Sequence, residues 1–232
     1  MHIMEGFLPG SWSLFWYLVS APFVLYGLYR LRQITAERRE ALPLLAMAGA
    51  FVFVLSSLKL PSIIGGSCSH PTGTGLGAIL FGPAVTAILA AIVLLYQALF
   101  LAHGGLTTFG ANIFSMGIAG PLAAYGIYRA GRWMHLNTFV SVFLAAAFGD
   151  LVTYGVTSLQ LALAFPAAAG GVFASLLAFG AVFAITQVPL AILEGVIVGL
   201  IFKYIIELRP EILVRLNVLP ESGIARAEER PA

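Results

Sequence analysis

Apolar residues along this chain come in long runs. The first spans Trp12 to Leu28, with Trp12, Trp16 and Tyr17 near its start, where amphipathic aromatics mark a membrane–water interface. It ends in Arg30, Arg32, Arg38 and Arg39. Further runs cover 43–58, 84–102, 110–128, 139–165 and 172–206. About 20 apolar residues carry a helix across a hydrocarbon core about 30 Å thick, so each run predicts a spanning helix. Between Pro61 and Gly77 the pattern breaks into Gly, Ser, Pro and His, too rich in Gly and Pro for an ordinary helix.

Orientation shows that six crossings are too few. The basic loops lie at 30–39, 129–132 and 203–215, and Lys/Arg-rich loops face the cytoplasm. An even number of crossings must separate two loops on the same side. The long runs between Arg39 and Arg129 number three, so a fourth segment is required. The stretch Thr72 to Phe81, closed by Gly82-Pro83, supplies it. Short, Gly/Pro-interrupted segments point to a transporter binding site. The prediction is an all-α integral membrane protein of about seven transmembrane helices, one short or broken, with the N-terminus outside and the C-terminus cytoplasmic. Whether 72–83 crosses fully or re-enters is open. Residues 1–208 form one transmembrane domain, and 209–232 a polar cytoplasmic tail.

Composition agrees. The chain is 60% hydrophobic and 9% charged, against about 25% charged in a soluble domain. From Ala41 to Tyr128 the one charged residue is Lys59, and from Trp133 to Leu193 it is Asp150. A net charge of +2 without a basic block argues against nucleic acid. A single cysteine, Cys68, excludes an internal disulfide and any Cys₄ or Cys₂His₂ zinc site. The first residues lack a basic segment and a cleavage pattern, so Met1 is expected to remain the N-terminal residue.

The predicted topology places three histidines, His2, His70 and His103, on the outer face. Histidine is the commonest metal ligand near neutral pH. A free α-amine, the amide nitrogen of residue 2 and its imidazole close adjacent chelate rings on one ion. One more imidazole, for which His70 is the candidate, completes a four-nitrogen tetragonal site, a geometry suited to Ni(II) or Cu(II) and open to Co(II). The bland alternatives are a chance histidine at position 2 and a hydrogen-bonding histidine in a Gly-rich loop.

Other residues carry paired readings. His103 is either a residue orienting the metal loop or a simple hydrogen-bonding one. Ser67, Ser69, Thr72 and Asn112 either fix imidazole tautomers around the ligands or satisfy backbone groups. Cys68 reads as a buried inert thiol rather than a soft ligand. Lys59, Asp150 and Glu194 lie in apolar runs, where ionisable groups are functional candidates. A packing network is favoured for Asp150 and Glu194 over a proton route. Gly117, Gly120 and Ala124 form a small-residue face for close helix contact.

Three segments carry a family resemblance: Met1-His2-Ile3-Met4-Glu5-Gly6-Phe7-Leu8-Pro9; Gly66-Ser67-Cys68-Ser69-His70-Pro71-Thr72-Gly73-Thr74-Gly75-Leu76-Gly77-Ala78-Ile79-Leu80-Phe81-Gly82-Pro83; and Leu101 to Asn112, with its Ala102-His103-Gly104-Gly105 core. Thr157 to Pro166 is consistent with them. The chain resembles the CbiM/NikM substrate-binding subunits of cobalt and nickel energy-coupling-factor transporters, over residues 1 to about 206. The resemblance implies a helical bundle with an added N-terminal helix. It implies a metal held by the Met1 amine, the His2 amide and imidazole, and His70. Ser67-Cys68-Ser69-His70-Pro71-Thr72 and His103 resemble the cobalt branch, which supplies cobalamin synthesis; nickel is the alternative. The metal is then cargo, Co(II) or Ni(II), and no cofactor is expected. The implied partners are separate ATPase subunits, a membrane coupling (T) protein and a small auxiliary membrane protein, in a bacterial plasma (inner) membrane. The chain has no Walker A pattern, so ATP hydrolysis belongs to other chains and this one is not an enzyme. An intramembrane metalloenzyme, which lacks H-E-x-x-H here, and an autonomous ion-coupled permease are the rival classes.

Overall fold

The computed structural model describes residues 2–61 and 67–219. Among them a two-residue strand, β1 (His2–Ile3), precedes α1 (Gly10–Glu37) and α2 (Ala41–Ser57). The chain then forms β2 (Leu60–Pro61), β3 (Ser67–Ser69), α3 (Thr74–Phe81) and α4 (Pro83–Phe100). Next, α5 (Phe109–Asn112) runs through a π-helical stretch, Ile113–Ala119, into α6 (Gly120–Trp133). The chain ends with α7 (Thr138–Ala164), α8 (Gly171–Leu208) and α9 (Pro210–Arg215). Counting 109–133 as one and leaving the six-residue α9 aside, the described helical segments number seven, as predicted. Helices α1, α4, α7 and α8 are each long and apolar enough to cross a membrane. Exposed apolar side chains such as Leu18, Leu25, Met47, Phe100 and Ile185 face outward, as hydrocarbon requires.

The short segment is α3, with eight residues. At 1.5 Å per residue it is about 12 Å long, well under the hydrocarbon thickness. Its N-terminal residues lie by the histidine cluster, while Phe81 packs with Leu31, Ile34 and Ala41 at the far end of the bundle. The extended residues before α3 and α3 itself therefore lead from the histidine end of the bundle to the other, partly as non-helical backbone. Such backbone survives at membrane depth only where protein covers it, and Ser67 to Ile79 are all buried.

Three features depart from the expected pattern. Residues 60–61 and 67–69 are strands, in a small sheet of order β1-β3-β2. Strand pairing answers the buried N–H and C=O groups that a coil would leave open. The stretch 113–119 is π-helical. The expected tail begins as structure, since α9 seats Leu213 in the core cluster of Tyr128 and Phe202; residues 220–232 lie outside the described part.

The bundle is polar end to end. The C-terminal end of α1 carries Arg30 and Arg32, and Arg38 donates to the Arg215 carbonyl at 2.6 Å. Arg215 also meets Glu40 at 3.5 Å. The C-terminal end of α6, with Arg129 and Arg132, lies at the same end, because Tyr128 packs in the cluster holding Leu213. Of the described cations, only Lys59 sits at the opposite end, in the turn between α2 and β2.

Candidate metal centre

The site is built where the N-terminal strand enters the bundle. β1 pairs antiparallel with β3, His2 opposite Cys68 and Ile3 opposite Ser67. Its other edge has no strand among the described residues, and a side chain takes that place. Asn112 Oδ1 accepts the Ile3 N–H at 2.8 Å, and its Nδ2 donates to the Ile3 carbonyl at 3.0 Å. Thr108 Oγ1 donates to the same carbonyl at 2.7 Å. The primary amide acts as a one-residue strand. Farther along, Gly6 N–H donates to Thr107 Oγ1 at 2.9 Å, and the Glu5 carboxylate accepts Thr107 N–H at 3.1 Å. Gly105 makes this approach feasible, since a Cβ there would lie 2.4 Å from the Glu5 Cα.

This pairing brings three imidazoles and a thiol together. His2 Nδ1 and His70 Nε2 face each other across 2.5 Å. The His2 ring centroid is 4.5 Å from that of His70 and 4.2 Å from that of His103. Cys68 Sγ lies 3.0 Å from His103 Nε2. One donor atom from each of His2, Cys68, His70 and His103 falls within 4.8 Å of the others, and all four residues are buried. The His70 tautomer is set by geometry. Its Nδ1 faces the Pro71 carbonyl at 2.8 Å, which accepts only, so Nδ1 carries the proton and the Nε2 lone pair points at His2.

Burial suits these groups to an ion rather than to protons. It holds His2 and His70 well below the usual imidazole range, and the neighbouring His103 adds to the effect on both. His103 is pushed down to about 4, mainly by burial, with the charge of Lys59 contributing. Burial pushes the Cys68 thiol up. All three rings are therefore neutral near pH 7 and present lone pairs. His2 Nε2 and His103 Nδ1 are buried without a hydrogen-bond partner among the described residues.

The His70 loop is held from beneath by α8. Ser69 Oγ pairs with Thr186 Oγ1 at 2.7 Å, and Gln187 Nε2 donates to the His70 carbonyl at 3.1 Å. The Gln187 amide also donates to both Asp150 oxygens, at 2.8 and 2.6 Å. Glu194 accepts the Thr72 N–H, the Thr72 hydroxyl at 2.9 Å and the Gly73 N–H at 2.8 Å. It thereby caps α3 with a carboxylate, where the free amide hydrogens and the helix dipole favour negative charge. Asp150 and Glu194 thus belong to a hydrogen-bonded network under the loop.

Of the residues expected here, His2, His70 and His103 come together, while Met1 lies outside the described residues. The hydrogen bonds of Ser69, Thr72 and Asn112 reach Thr186, Glu194 and the β1 backbone; the Ser67 hydroxyl is buried without a partner among the described residues. None of the four binds an imidazole. Ser69, Thr72 and Asn112 position the segments that carry the rings. Cys68, read as a buried inert thiol, is buried, and its Sγ faces His103 Nε2. Gln97 and Gln187 escaped sequence reasoning. Gln97 donates to Ser56 Oγ at 2.7 Å, and its carbonyl accepts the His103 N–H at 3.1 Å. Both are lone amides within long apolar runs, and such isolation was the available signal.

A buried histidine–cysteine pocket at one end of a polytopic helical bundle defines a membrane protein of the metal-transport class. A truncated transition metal transporter of known crystal structure matches with a TM-score of 0.77 at 28% identity, covering 89% of this chain and 99% of that one. A second transition metal transporter matches over 100% of both chains at the same TM-score, with 25% identity. Residues 2–212 match the CbiM family, described as the cobalt uptake substrate-specific transmembrane region. A CbiM relative from Methanosphaerula palustris is 63% identical over 94% of each chain. The cobalt transport protein CbiM of Chlorobium limicola is 58% identical over 97% of this chain and 88% of its own. The chain belongs to the CbiM family.

Proposed function

We propose that this chain captures Co(II) at the outer face of the cytoplasmic membrane, as the substrate-binding subunit of an energy-coupling-factor importer that supplies cobalamin synthesis. The observation that carries the reading is the lone-pair geometry between His2 Nδ1 and His70 Nε2. The ion replaces that contact and is held by the Met1 amine, the His2 amide nitrogen, His2 Nδ1 and His70 Nε2. Ionisation of the amide and neutral imidazoles are required, so binding weakens as pH falls. A planar four-nitrogen set also suits Ni(II), which makes nickel the second reading.

The positive end of the bundle supports the orientation. Basic loops face the cytoplasm, so the site opens outward and 209–232 is a cytoplasmic tail. The importer is completed by ATPase subunits, a membrane coupling protein and a small auxiliary membrane protein. They supply the energy, and this chain supplies selection.

The test is a chain with one alanine inserted between Met1 and His2, beside His2→Ala and His70→Ala. Purified full-length protein, its N-terminus confirmed by mass, is titrated with Co(II). Native protein is expected to bind one ion. Each variant is expected to lose affinity by about 100-fold or more, in line with the upper range for disturbing a metal site, while keeping its helical content. Native affinity in the inserted chain would overturn the reading.

A further inference from the structure

The four nitrogens proposed above leave two donors in the same pocket unused. Cys68 Sγ and His103 Nε2 lie 3.0 Å apart and belong to the group of donors within 4.8 Å of one another. Both residues are almost fully buried, at 5% and 1% exposure. The pair is presented by two separate elements. Cys68 is fixed opposite His2 in the β1–β3 ladder. The backbone of His103 is fixed by its N–H donating to the Gln97 backbone carbonyl, and the ring lies against that of His2. His103 Nδ1 has no partner among the described residues, and its Nε2 meets the other donor of the pair. Building a thiol and a third imidazole around one buried point costs apolar packing and needs a use.

We infer that Cys68 Sγ and His103 Nε2 are additional ligands of the cargo ion, and that this pair shifts the pocket's preference from Ni(II) toward Co(II). The inference rests on the capture reading above. Four nitrogens complete a tetragonal plane, and any further donor must lie off it. Off-plane donors remove the advantage that a planar nitrogen set gives Ni(II) and Cu(II). Co(II) accepts the larger, mixed nitrogen–sulfur set. Before binding, the Cys68 thiol carries one proton. On binding, the thiol gives that proton up to solvent, and the ion takes its place between Sγ and Nε2. A metal–sulfur bond of about 2.3 Å and a metal–nitrogen bond of about 2.0 Å on opposite sides of the plane put the two atoms about 4.3 Å apart, so they part by roughly 1.3 Å from the present 3.0 Å. A rotation of the thiol side chain supplies that shift.

The experiment reads the electronic spectrum of the Co(II)-loaded full-length protein, together with competitive Co(II) and Ni(II) titrations. Native protein is expected to show one bound Co(II) and a thiolate-to-cobalt charge-transfer band in the near ultraviolet. Cys68→Ser, close to isosteric, is expected to lose the band. In Cys68→Ser and in His103→Ala the ratio of Co(II) to Ni(II) affinity is expected to fall by about tenfold or more. One bound Co(II) in native protein without the band, with Cys68→Ser identical, would overturn the inference and leave cobalt capture standing. An unchanged affinity ratio in His103→Ala would overturn the part given to that imidazole. Failure of native protein to bind Co(II) at all would overturn the capture reading, and the inference with it. The native spectrum decides the sulfur question even if a variant fails to fold.

Discussion

The two ends of this bundle hold themselves together by opposite means. At the histidine end the backbone is irregular, buried and fully specified. The His70 loop is tied to α8 by Thr186, Gln187 and Glu194, and β1 is tied by Asn112 and Thr108. At the arginine end the contacts are exposed ion pairs such as Arg215–Glu40. A buried polar group left without its partner costs about 1–3 kcal/mol, more when charged, whereas an exposed ion pair contributes about 0–1 kcal/mol. The comparison teaches that charge density is a poor guide to where the structure is held. The end with the fewer charged residues is the more tightly determined one.

The sharpest way to break this contrast is Glu194→Ala. It strips the cap from α3 and leaves buried N–H groups of Thr72 and Gly73 open. The expected cost is about 2–4 kcal/mol, seen as a lowered thermal midpoint in detergent, with weakened Co(II) binding in the same titration. Asn112→Ala removes the surrogate strand beside Ile3. Thr108 still reaches the Ile3 carbonyl, so the expected loss of stability is smaller, about 1–2 kcal/mol. Cobalt affinity is expected to fall about tenfold or more, since the strand carrying His2 is no longer held on both edges.

Acid is expected to act mainly on the histidine end. The folded-state His103 lies at about 4, below the unfolded value of about 6.5. Its contribution is present in full above about pH 6.5 and is lost as pH falls toward about 4, because the unfolded state takes up the proton first. Thermal midpoints of metal-free protein at pH 7.5 and 5 check this, with His103→Gln expected to flatten the difference. The smallest effect is expected of Arg215→Ala, within about 0.5 kcal/mol of native stability, measured by the same midpoint. A large loss there would erase the contrast between the ends.

Much of the fold was legible because long apolar runs admit few readings. The boundaries of α4 and α7 fall within two residues of the runs at 84–102 and 139–165. The short α3 was legible through its Gly82-Pro83 terminator and the parity of basic loops. The histidines were legible as a set because topology gathers them on one face. The supports were not. Gln187 and Glu194 lie more than 100 residues from the loop they hold, and nothing local signals such a pairing. Strands of two or three residues carry too little periodicity to register. The π-helical stretch sits in sequence apolar on every face, where no stripe reveals a change of pitch.

That stretch has a consequence for what the protein tolerates. A π turn closes i→i+5 bonds and holds more residues than an α turn. Residues 113–119 therefore offset the rotational phase of the two halves of one long rod. Asn112 meets the N-terminal strand, while Gly120, where a Cβ would lie 3.1 Å from the Gly149 carbonyl oxygen, nestles against α7. Deleting one residue within the π-helical stretch would let the rod wind as uniform α-helix with both halves close to their present phase, whereas deleting one from the α-helical part just beyond it would swing the remainder by about 100°. In that second case the near half would still reach its strand, and the far half would turn its smallest faces toward lipid.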